Sequence, residues 1–433
     1  MARDIASRIA ALVHRALGID MPVGLRAFDG SRAGPADGPC VVLQSRRALR
    51  RLLWNPDELG LARGYIAGEI DVDGDLAEAL RRARAAVTVP PKLDLATRAG
   101  IAVDAIRLGV LGFRPPPPVP EARPAGRLHS PRRDRDVIAY HYDLGNDFYR
   151  LLLDESMAYS CALWTSDGGT SDGETSDGGT SDGGTSDGGT SDDAGYGIGD
   201  AQRDKLDLVC RKLGLHQGMR LLDVGCGWGS LVLHAAKEYG VQATGVTLSG
   251  AQAEFVRRRA AEAGLGDQVW VRCQDYREDV GGPYDAVASI EMGEHVGDEQ
   301  YPTYAGVLRE AVRPGGGLLL LQQMSHGPDA PGGGPFIESF IAPDMTMRPL
   351  GATVTYLERA GFEIRDVQAM REHYARTATA WAATLDERWD DAVALIGVAR
   401  ARVWRLYLVG GALAFADNRM GVDQILARRP DGA

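Results

Sequence analysis

A glycine-rich turn after a short apolar run constrains the fold of this chain more than any other feature. The run at residues 221–224 ends at Gly225, Gly227 and Gly229, and apolar residues resume at helical spacing over residues 231–236. Glycine permits positive φ and a close approach of ligand to backbone, while the first turn of a helix carries unpaired N–H groups. The pattern predicts a strand, a tight turn and a helix at a ligand site. A purely structural turn is the alternative for the loop alone.

The residues around this turn indicate the kind of ligand. A dinucleotide site favours G-x-G-x-x-G and an acidic residue about 20 positions later. Here the spacing is G-x-G-x-G, and the next apolar run ends at residues 247–249 without a carboxylate. Asp223 precedes the turn, and Asp275 and Tyr276 follow a third apolar run. Together these residues favour an S-adenosylmethionine pocket over a nucleotide phosphate site.

Beyond residue 200 the pattern alternates between helix and strand. Helices are predicted at residues 201–213, 230–239, 250–263 and 301–312, and strands at residues 219–224, 242–246, 269–273, 286–290 and 317–321. This alternation predicts an α/β fold with a doubly wound sheet, of the class I S-adenosylmethionine-dependent methyltransferase type, whose ligand lies at the carboxyl ends of the strands. Residues 353–426 are predicted to be strongly helical, within a cap region at residues 335–426.

Composition divides the chain into three segments. Residues 1–114 are predicted to form a smaller, mainly helical N-terminal domain for lipid binding or interaction, with helices at 5–17, 45–54, 75–87 and 93–111 and a strand at 41–43. The last of these helices either lies at a membrane interface or packs on the domain core. Prolines at 115–118 favour extended polyproline, so residues 115–136 are predicted to be a Pro- and Arg-rich linker. Residues 137–433 form the predicted methyltransferase domain.

A repeat interrupts that third segment at residues 165–195. It contains six copies of Thr-Ser-Asp-Gly-Gly or close variants. This composition cannot bury a core, so the insert is predicted to be disordered. Calcium binding is the functional alternative, but the five-residue period lacks the apolar positions that stacked calcium-binding repeats require.

Charge and cysteine content bear on partners and location. Residues 1–136 contain 22 Lys and Arg against 16 Asp and Glu, a net charge of +6 within a chain whose net charge is −11. A basic segment on an acidic protein suggests an anionic partner such as a phospholipid surface, and a solvated arginine-rich surface is the alternative. Five scattered cysteines indicate neither a disulfide framework nor a metal site. We expect a cytoplasmic protein that is peripheral to the inner face of the membrane.

Several separate motifs resemble one family. From residue 140 onward, apart from the repeat, the chain resembles cyclopropane-fatty-acyl-phospholipid synthases, the mycolic acid cyclopropane synthases, and relatives that methylate other unsaturated acyl chains. The matching motifs are residues 141–149, 159–162, 222–229, 246–249, 274–277 and 294–297. Residues 64–76 also resemble the N-terminal domain of the longer bacterial members.

The resemblance implies S-adenosyl-L-methionine as methyl donor and an unsaturated fatty acyl chain of a phospholipid as substrate. It adds cofactor contacts from Tyr159, Ser160, Thr247, Leu248 and Gln252. An isolated alkene is a poor nucleophile, so the enzyme has to hold the methyl sulfonium in line with the double bond in a dry site. The resulting carbocation needs π faces or negative charge, followed by removal of a proton.

In this family a bound bicarbonate is the base, held by a cysteine, a glutamate, a histidine, a tyrosine and a backbone group. The resemblance assigns Cys161, Glu294 and Tyr374 to three of these positions, and it places His141 among the catalytic residues. Gln322 aligns with the family histidine. Glutamine can hydrogen-bond an anion but cannot become charged, so this departure bears directly on the bicarbonate site.

A second departure concerns the product. Glu291 stands where cyclopropane synthases commonly have glycine, and residues 336–345 differ from their usual segment. With residues 403–407 and 410–415, these variants resemble the actinobacterial branch that converts oleoyl to 10-methylene-stearoyl chains, in the pathway to tuberculostearic acid. Cyclopropane formation on the same substrate class is the alternative.

The resemblance also implies partners: a phospholipid membrane surface, a separate reductase that would saturate a methylene product, and a second copy of the chain in a homo-oligomer. No nucleic acid or metal is expected. Two other functions compete with lipid methylation. One is methylation of a soluble small molecule by the same cofactor domain, and the other is a lipid-binding or scaffold protein with a vestigial cofactor domain.

Overall fold

The computed structural model describes residues 4–86, 100, 103, 106, 108–119, 121–122, 124–142, 144–165, 195–327 and 333–431. The N-terminal part contains a four-stranded sheet with the order β2-β1-β3-β4. Its elements are α1 (Ile5–Leu17), β1 (Gly24–Arg26), β2 (Arg32–Ala33), β3 (Cys40–Leu43), α2 (Arg46–Trp54), α3 (Glu58–Ile66), β4 (Ile70–Asp73) and α4 (Leu76–Ala86).

Three of the helices in this part lie where the sequence predicts them. The predictions at 5–17, 45–54 and 75–87 correspond to α1, α2 and α4, and Ser45 caps α2 by accepting a hydrogen bond from the Arg47 N–H at 3.2 Å. Strands β1, β2 and β4 were not predicted, because strands of two to four residues are too short to show alternation. Helix α3 was not predicted either. Most of the helix predicted at 93–111 lies outside the described residues.

The larger part of the chain forms a seven-stranded sheet flanked by helices. It begins with α5 (Pro131–Tyr142) and α6 (Asn146–Leu152). The alternating section contains α7 (Ile198–Lys212), β5 (Arg220–Val224), α8 (Ser230–Tyr239), β6 (Gln242–Thr247), α9 (Gly250–Glu262), β7 (Val269–Cys273), β8 (Ala286–Ile290), α10 (Tyr301–Ala311) and β9 (Leu318–His326). The final section contains α11 (Gly334–Phe340), α12 (Leu350–Arg359), β10 (Glu363–Ala369), α13 (Arg371–Glu387), α14 (Trp389–Ile396), α15 (Val398–Ala416) and β11 (Met420–Arg428).

The order of the large sheet is β10-β11-β9-β8-β5-β6-β7. Strands β5 to β9 pair in parallel, whereas β11 runs antiparallel to both β9 and β10. β5 lies between β6 and β8, so the direction of winding reverses there, and a crevice opens at its carboxyl end. The predicted doubly wound α/β fold of a class I S-adenosylmethionine-dependent methyltransferase is confirmed.

The helical cap region predicted at residues 335–426 contains two strands, so the prediction is wrong at those residues. Residues 363–369 and 420–428 are β10 and β11, and they complete the large sheet. β10 is an edge strand with largely exposed side chains, so it lacks the apolar alternation that would identify it. The cap consists of α11, α13, α14 and α15. The predicted linker also ends early, since α5 starts at Pro131, and proline is favourable in the first turn of a helix.

The two ends of the repeat insert meet at one side chain. The Tyr196 hydroxyl donates to the Leu163 carbonyl at 3.1 Å and accepts from the Thr165 N–H at 3.1 Å. The repeat itself, at residues 166–194, lies outside the described residues, and its predicted disorder stays a prediction. Among the helices of the described ranges, none has the length and apolarity to cross a bilayer.

Helix α15 joins the N-terminal part to the cap. Arg402 donates to Asp71 Oδ2 at 2.8 Å and to the Tyr65 carbonyl at 3.0 Å, and its guanidinium lies 5.1 Å from the centroid of the Tyr65 ring. An apolar cluster backs these contacts, and its buried members are Ala62, Ile66, Phe336, Phe340, Ile341, Ala342 and Val403. The N-terminal part is therefore packed against the wall of the cap.

Candidate active site

The glycine turn lies at the carboxyl end of β5, where the topology places a ligand. The N–H groups of Gly225 and Cys226 both donate to the Val246 carbonyl, at 2.9 and 3.0 Å, which ties the turn to β6. Gly225 has φ +87°, and a Cβ there would lie 2.7 Å from the Met292 side chain. Only glycine fits this position, so the turn and the loop after β8 form two touching walls of one crevice.

Two buried polar side chains at the strand ends fit a cofactor. Asp223 is buried, its Oδ1 has no partner among the described residues, and burial raises its pKa to about 7, although Lys205 opposes that shift. Thr247 Oγ1 donates to Gln252 Oε1 at 2.8 Å, which leaves the buried Gln252 Nε2 without a partner among those residues. An unpaired acceptor and an unpaired donor beside a glycine turn suit the ammonium and hydroxyl groups of S-adenosylmethionine.

The remaining predicted cofactor residues are placed less uniformly. Asp275 Oδ1 accepts from Arg277 Nε at 2.7 Å, so its carboxylate is already paired. Tyr276 is buried with its ring edge-on to Tyr304, and Leu248 is half-buried at the end of β6. The Asp275 carboxylate and the Tyr276 ring are therefore engaged by the protein itself.

A segment at residues 159–161 crosses the crevice from the cap side. Gln202 Nε2 donates to the Ala158 and Ser160 carbonyls at 3.2 and 2.8 Å, and Lys205 Nζ donates to Ser160 Oγ at 2.9 Å. Lys205 is 1% exposed, and burial lowers its pKa. The segment is thus fixed from below by two buried polar residues of α7.

Glu291 is the centre of the hydrogen-bond network. Its Oε1 accepts from the Cys161 backbone N–H and from Gln322 Nε2, both at 2.8 Å, and its Oε2 accepts from the Tyr374 hydroxyl at 2.7 Å. Gln322 Oε1 in turn accepts from Gln424 Nε2 at 2.9 Å. Three residues predicted to hold bicarbonate therefore converge, but they converge on a carboxylate of the protein itself.

The Cys161 thiol faces away from this network. Its Sγ lies 3.3 Å from the Ala162 carbonyl and 3.6 Å from the Met370 carbonyl. Burial, and then the charge of Glu291, raise the pKa of the thiol well above its ordinary value. Cys161 is therefore a neutral thiol that contributes its backbone N–H to the site.

Glu294 lies one turn beyond Glu291, in a short 3₁₀ turn at Gly293–His295. Its Oε1 accepts from the Met324 N–H at 2.6 Å, and its buried Oε2 has no partner among the described residues. Burial and the neighbouring Glu291 raise the pKa of Glu294 to about 8. At neutral pH this carboxyl is protonated.

Aromatic rings enclose the cap side of Glu291. The Tyr374 ring stacks on Phe415 at 4.3 Å and meets Trp381 edge-on at 6.3 Å. Tyr159 lies 5.3 Å from Trp381, and its hydroxyl donates to the Tyr407 hydroxyl at 3.2 Å. Burial, followed by the charge of Glu291, raises the pKa of Tyr374, so the phenol remains a neutral donor. The result is a dry site with several π faces.

Two residues of this site, Lys205 and Gln202, were not predicted from the sequence. Lys205 and Gln202 lie on the apolar face of α7 with Ala201 and Val209, and a polar residue at core spacing is a signal that could have identified them. The side chain of His141 lies outside the described residues. Its catalytic role therefore stays a prediction.

Comparison with known proteins gives a consistent result. The family model described as mycolic acid cyclopropane synthetase matches residues 129–425. The chain is 34% identical over 427 residues to the probable fatty acid methyltransferase Rv3720 of Mycobacterium tuberculosis, covering 95% of this chain and 92% of that protein. It is 31% identical over 437 residues to the tuberculostearic acid methyltransferase UfaA1 of the same organism, covering 97% and 91%.

A solved structure shares the fold of the large domain. The mycolic acid cyclopropane synthase CmaA1 complexed with SAH and CTAB is 29% identical, with a TM-score of 0.58, over 68% of this chain and 98% of that one.

Proposed function

The chain belongs to the mycolic acid cyclopropane synthetase family and is an S-adenosylmethionine-dependent methyltransferase of fatty acyl chains, and we propose that it methylates the double bond of an unsaturated chain in a phospholipid. The favoured reaction converts oleoyl to 10-methylene-stearoyl chains. The observation that carries this proposal is a half-buried carboxylate, Glu291, which lies beside aromatic rings at the carboxyl end of β8.

S-adenosylmethionine supplies an electrophilic methyl group when it is bound. Asp223, Gln252 and the backbone of the glycine turn are the groups of this chain that would hold it. The segment at residues 159–161, fixed by Lys205, would separate the cofactor from the acyl chain and exclude water. Exclusion of water matters because an alkene competes poorly with water for the methyl group.

The rings of Tyr374, Phe415 and Trp381 would face the positive charge that methylation leaves on the chain. A π face attracts a cation by about 2 kcal/mol or more when both are desolvated. When Glu291 is ionised, its carboxylate adds a negative charge in a region of low dielectric. These groups lower the energy of the carbocation. No basic side chain has to act before the methyl transfer.

The N-terminal part supports a phospholipid as the carrier of the chain. Its net charge of +6 over residues 1–136 suits an anionic membrane surface, and its contacts through Arg402 place it against the cap. We propose peripheral binding to the membrane at this part. A separate reductase would saturate a methylene product. We also propose that the chain forms a homo-oligomer.

Cyclopropane formation on the same substrate is the second candidate, favoured by the match to CmaA1. The two products have the same mass, but only a methylene group takes up hydrogen readily. The fatty acids of an oleate-containing host should be compared with and without this chain, before and after mild hydrogenation. A new one-carbon-longer acid that takes up hydrogen supports the methylene product, one that resists it indicates a cyclopropane, and absence of a new acid contradicts acyl methylation.

A further inference from the structure

Glu291 is a carboxyl group held by three hydrogen-bond donors, and the reaction described above gives it no role in proton transfer. Resting on the proposed function, we infer that the Glu291 carboxylate removes the proton from the methylated acyl chain, in the place that a bicarbonate ion would otherwise occupy. The juxtaposition that carries the inference is the ring of donors around it: the Cys161 N–H, Gln322 Nε2 and the Tyr374 hydroxyl.

The site does not fit an additional bicarbonate. Three of the groups that could bind the anion are already engaged by Glu291, at 2.7 to 2.8 Å. A second anion at this place would also meet the charge of Glu291 in a buried region, where like charges a few ångströms apart repel strongly. The carboxylate thus satisfies the same donors that would bind the ion.

The backbone at residue 291 supports a specific placement of this side chain. Glu291 has φ +52°, in the left-handed region that non-glycine residues rarely adopt, at a cost of about 1–2 kcal/mol. Its N–H donates to the Gln322 carbonyl at 2.7 Å, which holds that conformation. Strain of this kind persists where the surrounding structure over-determines it, and it is concentrated at functional sites.

Three hydrogen-bond donors face Glu291 and favour its ionised form over that of the neighbouring Glu294. Burial raises its pKa, whereas the Tyr374 hydroxyl, the Cys161 N–H, Gln322 and the charge of Lys205 lower it. Glu294 lacks comparable donors and keeps its proton at neutral pH, with a pKa of about 8. The other titratable groups facing Glu291, the Tyr374 and Tyr407 phenols and the Cys161 thiol, have raised pKa values and stay neutral.

One oxygen of Glu291 is free to take a proton. Oε1 accepts two hydrogen bonds, whereas Oε2 accepts one, from Tyr374, and a carboxylate oxygen has two lone pairs. In the proposed step a C–H bond of the transferred methyl group breaks and its proton passes to Oε2. The remaining electron pair closes a cyclopropane with the cationic carbon or, after a hydride shift, forms the methylene double bond. Glu291 becomes a neutral carboxylic acid and loses the proton to water when product leaves.

The test compares bicarbonate dependence in the purified full chain, with oleoyl phospholipid vesicles and S-adenosylmethionine. We expect wild-type turnover in buffer freed of carbon dioxide to equal that with bicarbonate. Glu291→Gly suits the positive φ and opens space among the same donors, so its turnover without bicarbonate should fall by about 100-fold or more. Added bicarbonate should raise the turnover of Glu291→Gly by about tenfold or more, because the ion can accept the hydrogen bonds that Glu291 accepted.

Glu291→Gln is the matched control, since its amide fills the space but cannot accept the proton. It should be as inactive as Glu291→Gly and should not respond to bicarbonate, while calorimetry shows S-adenosylmethionine binding unchanged in both variants. Wild-type turnover that stops without bicarbonate, or full turnover of Glu291→Gly or Glu291→Gln without it, would overturn the inference. Wild-type protein that forms no methylated acid with or without bicarbonate would instead contradict the proposed function.

Discussion

The Tyr374 hydroxyl donates to Glu291 Oε2 at 2.7 Å while its ring stacks on Phe415 at 4.3 Å. One side chain thus supplies both a hydrogen bond to the Glu291 carboxyl group and a π face beside it. Tyr374→Phe separates the two contributions, because it removes the donor and keeps the stacked ring.

We expect Tyr374→Phe to lower kcat by about 10-fold or more, in line with the loss of a charge-assisted hydrogen bond. Loss of a donor to the ionised form also raises the pKa of Glu291, so the acid limb of the kcat profile should move to higher pH. The measurement is kcat against pH for both proteins, with saturating S-adenosylmethionine. An unchanged acid limb would show that the hydroxyl does not act on Glu291.

Glu294→Gln is expected to change the dependence of stability on pH. The pKa of Glu294 in the folded protein, about 8, lies above its ordinary value of 4.5, so the folded state retains a proton that the unfolded state releases. Wild-type stability therefore falls as pH rises through this window, by at most about 1.4 kcal/mol per pH unit. The variant lacks this loss, and its amide oxygen can still accept from the Met324 N–H.

Denaturant unfolding at pH 5, 6.5 and 8 should show that the free energy of unfolding of the variant, relative to that of wild type, increases at each step in pH. A stability difference that is constant with pH would contradict the assignment of the retained proton to Glu294. Glu299→Gln is a suitable control, because Glu299 is exposed to solvent whereas Glu294 is buried.

Deletion of residues 166–194, which joins Thr165 to Gly195, should leave turnover and Tm unchanged. The Tyr196 hydroxyl already contacts both Leu163 and Thr165, so the two ends lie near each other and we expect only a local adjustment when they are joined. Turnover with lipid vesicles and thermal unfolding are the measurements. A folded deletion variant with much reduced turnover would show that the repeat has a role in the reaction.

Arg402→Ala should loosen the N-terminal part from the cap. The change removes the bonds to Asp71 and to the Tyr65 carbonyl, and we expect the free energy of unfolding to fall by about 1–2 kcal/mol. Proteolysis between the two parts should become faster. Arg400→Ala on the same helix, at an exposed position, is the matched control, and equal proteolysis rates in both variants would contradict this account.

Much of the fold could be predicted from the sequence because its signals are local. The turn at Gly225 and the alternation of apolar runs predict β5 to β8 to within one residue at each end, whereas β9 continues to His326, five residues beyond its predicted end. Short strands in the N-terminal part and the exposed edge strand β10 carry weak local patterns, so the sequence could not predict them. Their positions depend on pairing with distant residues.

The same distinction applies to the site. Cys161, Gln322 and Tyr374 were predicted through their motifs, but their common partner was not. The hydrogen bonds that join Glu291 to them span 130, 31 and 83 positions of the chain, and no local pattern reports such contacts. Glu291 was recognised in the sequence as a departure that bears on the product, whereas the structure shows it as the acceptor at the centre of the network.

Helix α15 has a further consequence through its two faces. Trp404 and Tyr407 point to the aromatic cluster around the site, while Arg402 and Val403 contact the N-terminal part. The helix is 19 residues long, or roughly 28 Å, so it is one continuous element between these two surfaces. If the proposed membrane binding displaces the N-terminal part, α15 would carry that displacement to the aromatic residues around Glu291.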